Sequence, residues 1–165
     1  MRLTPALLAA GLVLVAAVGL TGCTTTIDLD PAADANDPAC AEVGVRLPDT
    51  VAGEPRRWTD AQATAAWGDP AAVLLRCGVE SPGPTEARCI TIGGVDWIVD
   101  ESRAPKYLVT TYGRTPAVEV FIDNKAVSSN DVLDSLSGAI QGGTTADGKC
   151  TSTEELLPDD TTTEG

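Results

Sequence analysis

The sequence has no histidine, one methionine, one phenylalanine, and only 11 basic residues against 24 acidic ones. Each shortage removes a class of function. Without histidine, neither a Ser-His-Asp nor a Cys-His catalytic set can be assembled. Zinc sites draw on histidine or on C-x-x-C pairs, and the chain has neither, so no metal and no cofactor is expected. The S-x-x-K of penicillin-interacting enzymes and the G-x-x-x-x-G-K-[ST] phosphate loop are also missing. A formal net charge of -13 argues against nucleic acid and against docking on anionic lipid by charge. The apolar side is lean as well. Leu, Ile, Val and Phe make up about a fifth of residues 40–150, near the composition at which chains stop folding unaided. A covalent brace is therefore expected.

Charge is missing altogether from "LTPALLAAGLVLVAAVGL", which follows Met1-Arg2. A positive start, an apolar stretch and small residues near position 22 read as a secretory signal peptide over residues 1–22. A membrane-spanning helix would usually continue into charged flanks, and no Lys or Arg follows here. Leu20-Thr21-Gly22-Cys23 resembles a lipobox, the pattern read in bacterial lipoprotein maturation. That resemblance implies diacylglyceryl transfer to the Cys23 sulfur and cleavage before it. Two acyl chains, at about 0.8 kcal/mol per buried methylene, anchor firmly. The expected location is thus the outer face of the cell membrane.

What is present beyond Cys23 divides into three. Residues 24–39 hold four Asp and no basic residue, so 23–36 reads as the lipidated cysteine and a flexible acidic linker. The Ile27/Leu29 alternation leaves a short edge strand open as the alternative. Residues 37–150 form the folded domain, and residues 151–165 an acidic, disordered tail. The brace is the even set Cys40, Cys77, Cys89 and Cys150, for which sequence allows three pairings. Cys77–Cys89, closing a loop between two strands expected to be neighbours, and Cys40–Cys150, tying the first helix to the end of the fold, are the preferred pair.

Asp37-Pro38 supplies a cap oxygen and a proline for the first helical position, so a helix is expected through "ACAEVGVRL". "WTDAQATAAWGDP" suggests a helical turn from about Asp60. Strands follow at 72–79 and on both sides of Gly93-Gly94, a two-residue hairpin signal. That register sets Ile92 against Val95, Ile90 against Trp97 and Cys89 against Ile98. "KYLVTTY" and "AVEVFI" make a second hairpin around "GRTP". Ser128 and Asp131 have capping-box spacing before a helix with a Val132, Leu133, Leu136, Ile140 stripe. The fold class is α+β, with one antiparallel sheet of about four to five strands, covered by two helices and disulfide-braced.

"AAWGDPAAVLLRCGV", "CITIGGVDWIV" and "TTYGRTPAVEV", in this order behind a lipobox, resemble the domain-of-unknown-function 3515 family of actinobacterial lipoproteins. The resemblance covers about residues 37–150. It implies an exported, envelope-associated protein with these cysteines bridged, and it lends no activity.

The candidate ligand-binding residues cluster around turns: Trp67 with Asp69, Asp96 with Trp97, and Tyr112 with Arg114. Arg114 suits a two-pronged grip on a carboxylate or phosphate, with a ring stacked on the ligand. A structural role competes at each, Trp97 packing against Ile90 and Asp69 fixing its own turn. No catalytic residue is assigned. The main expectation is a non-enzymatic, lipid-anchored envelope protein that binds a protein or a cell-wall component. The alternatives are a small-ligand-binding module built on the Trp/Tyr/Arg group, and a carboxylate-pair hydrolase of envelope glycans. For the last, Asp100-Glu101 is a weak pair, since strand neighbours point to opposite faces.

Overall fold

The computed structural model describes residues 26–151. The expected signal segment and lipobox with Cys23, and the expected tail beyond residue 151, lie outside them.

Helix α1 (Pro38–Arg46) starts as the sequence dictates, with the Asp37 carboxylate accepting the Ala39 N–H at 2.8 Å and Pro38 at the first position. Then come β1 (Thr50–Val51), β2 (Glu54–Arg57), β3 (Thr64–Trp67), β4 (Val73–Val79), β5 (Cys89–Ile92) and β6 (Val95–Asp100). After them lie β7 (Lys106–Thr111), β8 (Arg114–Thr115), β9 (Ala117–Asp123), α2 (Ser129–Gly143) and β10 (Thr145–Ala146). One 8-stranded antiparallel sheet runs in the order β1-β2-β3-β4-β9-β7-β6-β5, and β10 pairs with β8 in a separate ribbon.

The sheet is therefore larger than the four to five strands expected. The five read from sequence are β4, β5, β6, β7 and β9, and β1–β3 extend one side. Trp67 and the alanines before it, expected in a helical turn, are strand. Alanine favours helix intrinsically, but β3 lies between β2 and β4 and pairs with both, so tertiary pairing decides. The central hairpin has the expected register: Cys89 opposite Ile98, Ile90 opposite Trp97, Ile92 opposite Val95. Both turn glycines have positive φ, +58° and +77°, as that tight connection demands.

Both helices lie on one face. Inward alternation along β4 (Val73, Leu75, Cys77), β6 (Val95, Trp97) and β9 (Val118, Val120, Ile122) meets Val132, Leu133, Leu136 and Ile140 of α2 and Cys40 and Val43 of α1. Ser128 caps α2, its hydroxyl accepting the Asp131 N–H. Ser137 and Gln141 of α2 donate to the Ile92 and Gly93 carbonyls, seating the helix on the hairpin. The opposite face is uncovered by helices. It carries half-buried Leu74, Leu108 and Phe121 and the Arg76–Glu119 ion pair.

The cystines are Cys40–Cys77 and Cys89–Cys150, which corrects the expected pairing. The reason is topological. β4 and β5 are not neighbours: β9, β7 and β6 stand between them. Four inter-strand steps place them roughly 19 Å apart, far beyond the ~7 Å Cα limit for a bridge. Cys77 also faces the helices, where Cys40 of α1 sits buried against it with Cα atoms 5.5 Å apart.

Residues 26–36, expected as a linker, are docked on the domain where they are described. Ile27 forms a parallel bridge with Thr59, and the Asp34 N–H donates to the Gly78 carbonyl at 3.0 Å. The edge-strand alternative is realised at Ile27 alone. Among the described residues no helix is long and apolar enough to cross a membrane.

Candidate functional site

Of the six candidate residues, three converge and three do not. Asp96, Tyr112 and Arg114 line one open cleft of about 340 Å³, together with Thr91, Gly94, Ala146, Gly148, Lys149 and Cys150. Trp67 and Trp97 have no exposed surface and belong to the core. The Trp67 indole N–H donates to the Pro48 carbonyl at 3.1 Å, and the Arg56 guanidinium stands 6.0 Å above its ring. Trp97 pairs with Ile90, and its indole N–H has no partner among the described residues. Asp69 is exposed and forms an ion pair with Arg57 at 3.1 Å. The two indoles are thus removed from the ligand-binding set: inward alternation on β3 and β6 buries them.

The cleft is assembled at the end of the β6–β7 pair. The Tyr112 N–H donates to the Asp96 carbonyl at 2.8 Å, carrying the ladder one rung past β7. Gly113 then takes φ +58°, and its carbonyl accepts from the N–H groups of Asp147 at 2.8 Å and Gly148 at 3.2 Å. A Cβ at Gly113 would stand 2.3 Å from the Gly148 carbonyl, so only glycine lets the C-terminal segment approach. The β8–β10 ribbon sets Arg114 opposite Ala146 and Thr115 opposite Thr145. The Thr115 hydroxyl donates to Asp147 at 2.8 Å. Asp96 completes the wall, accepting from the Thr91 hydroxyl at 2.6 Å and from the Cys150 N–H at 2.9 Å. Cys89–Cys150 locks that wall to β5.

Electrostatically, Arg114 stands apart. It is the only charged side chain that the described residues bury, at 9% exposure. Arg46, Arg57, Arg76 and Arg88 each have a carboxylate within 4.0 Å. Among the described residues Arg114 has none; its Nη1 donates to the Thr144 hydroxyl at 3.2 Å. A buried guanidinium without a counter-ion is costly, and the remaining donors suit a planar anion. Lys149 adds a second positive charge to the lining, and the one acid there, Asp96, already has a donor on each oxygen. The cleft carries two basic residues against one acid in a chain of net charge -13.

Lys149 and Thr144 also belong to the site, and no sequence motif marks either of them. Thr144 lies 30 residues from Arg114, and no local pattern links them. A basic residue next to a bridged cysteine was the one available signal.

The Asp100-Glu101 pair has none of the asymmetry of a general acid and its partner. Asp100 is fully exposed, and the Ser102 hydroxyl and N–H hold its carboxyl below the usual range. Glu101 is paired with Arg88 at 2.5 Å. A smaller apolar hollow, about 70 Å³, lies between α2 and the β5–β7 edge and is lined by Ile90, Ile92, Val99, Tyr107 and Leu133.

A family model described as a protein of unknown function (DUF3515) matches residues 3–148. No curated protein and no solved structure matches the chain.

Proposed function

We propose, for a chain that belongs to the DUF3515 family of proteins of unknown function, an exported, lipid-anchored envelope protein that acts by binding. Its ligand presents an anionic group, a carboxylate or a phosphate, from a cell-wall component or a partner protein. The lipobox at Leu20–Cys23 supports the anchor, and two cystines suit an oxidising compartment. The observation that carries the binding reading is Arg114, a buried guanidinium with no carboxylate partner among the described residues, opening on a cleft.

In this reading Arg114 grips the anion, Lys149 adds long-range attraction, and Tyr112 flanks the ligand's apolar part. Asp96 keeps the wall in place through Thr91 and Cys150 and discriminates against a second negative group. Thermal-shift titration tests the proposal, with inorganic phosphate, a short peptide with a free C-terminal carboxylate, and the same peptide amidated. Stabilisation is expected from phosphate or from the free-acid peptide, and none from the amide. At 100 times Kd the linkage is about 2.7 kcal/mol. Arg114→Gln should weaken binding by about ten- to a hundred-fold, the value of a charge-assisted hydrogen bond. Equal stabilisation of wild type and Arg114→Gln would make Arg114 structural only.

A further inference from the structure

The chain just after Cys23 is not free to wander from the domain. The Ile27 N–H donates to the Trp58 carbonyl at 2.8 Å, and the Asp60 N–H donates to the Ile27 carbonyl at 3.2 Å. The Leu29 N–H donates to the Asp60 carboxylate at 3.0 Å. The first described residues are thereby pinned along residues 58–60. Cys23 precedes Ile27 by four residues, and four residues of extended chain span at most about 14 Å. Any acyl chains on Cys23 therefore enter the bilayer within that reach of Ile27, whose backbone is bonded to that of Trp58.

Trp58 is also the odd tryptophan of the three. Trp67 and Trp97 are fully buried, whereas Trp58 is 74% exposed and, with Val45, is one of two large apolar side chains so exposed among the described residues. An indole left in water forgoes its apolar burial, and tryptophan favours the lipid–water boundary, where its ring is buried and its N–H stays wet. We infer that Trp58 seats in the lipid headgroup region beside the anchor, giving the domain a second membrane contact and a fixed orientation. The inference rests on the lipid-anchor reading above. Trp58 shares its hollow with Asp49, Arg56 and Arg57, and Asp60 lies two residues further along the chain, so opposite charges nearly balance at this corner, ring burial drives the contact and added salt should not weaken it. Five inter-strand steps separate β2, which ends next to Trp58, from β6 of the Arg114 cleft. That is roughly 24 Å across the sheet, so the Trp58 contact and the cleft occupy separate parts of the domain.

The test uses the full processed chain, reconstituted in phosphatidylcholine vesicles with brominated acyl chains and in unbrominated ones. Bromine should quench the Trp58 component, at low and high salt alike, and lipid should shield it from aqueous acrylamide. Trp58→Ser should lose that quenching and leave the Trp67 and Trp97 emission unchanged. A fatty-acid probe on Cys23 is read in the same preparation. Labelled Cys23 with Trp58 still open to acrylamide and unquenched by bromine overturns the inference and spares the anchor. Unlabelled Cys23 overturns the anchor reading and this inference with it.

Discussion

Removing the Cys40–Cys77 bridge should cost a large share of this domain's stability. The bridge joins α1 to the middle of β4, and both sulfurs lie in the core at 1% exposure. Cross-linking residues 37 apart removes loop-closure entropy from the unfolded chain worth about 4 kcal/mol. Replacing both cysteines with alanine adds a smaller loss from the vacated sulfur volume. A domain of this size is typically stable by about 5–15 kcal/mol, so the double variant should lose a quarter or more of its stability. Urea unfolding followed by tryptophan emission is the assay, because Trp67 and Trp97 report the core on either side of the bridge. The midpoint should fall steeply, and the slope should rise as the unfolded state expands. A loss under about 1 kcal/mol would refute the entropic reasoning. A Cys77–Cys89 peptide in non-reducing mass mapping would refute the connectivity.

Two further outcomes test the packing and the cleft wall. Leu136→Ala, at a fully buried position of α2, should destabilise by about 2–5 kcal/mol in the same urea assay; a loss of a few tenths would mean the helix is not packed as described. Gly113→Ala forces a left-handed alanine whose Cβ stands 2.3 Å from the Gly148 carbonyl. It should destabilise by about 1–3 kcal/mol and also weaken phosphate binding, since the displaced segment carries Lys149; unchanged binding would detach that segment from the site.

Much of this architecture is legible locally. The Gly93-Gly94 turn and alternating Ile90, Ile92, Val95 and Trp97 fix a hairpin whose register depends on nothing distant. The Asp37-Pro38 and Ser128 caps do the same for the two helices. Non-local pairing is what stayed hidden. Thr64–Trp67 is short and Ala-rich, and it becomes a strand because β2 and β4 supply its partners. The cystine pairing followed the assumption that β4 and β5 are adjacent, which the insertion of β9 beside β4 overturns. The site was half legible for the same reason. Asp96, Tyr112 and Arg114 stand out as polar groups near turns, but the burial of Arg114 is created by residues 144–150 folding back over it.

The central claim, that Arg114 awaits an anion, has a direct measurement: the guanidinium Nε–H resonances of the folded protein during phosphate titration at constant ionic strength. The Arg114 signal, assigned by its disappearance in Arg114→Gln, should move and saturate. The Arg76 signal should stay fixed, because its Nε already donates to Glu119 at 3.0 Å. If Arg114 responds no more than Arg76 to phosphate and to a free-acid peptide alike, the cleft is not an anion site and the proposed function is wrong.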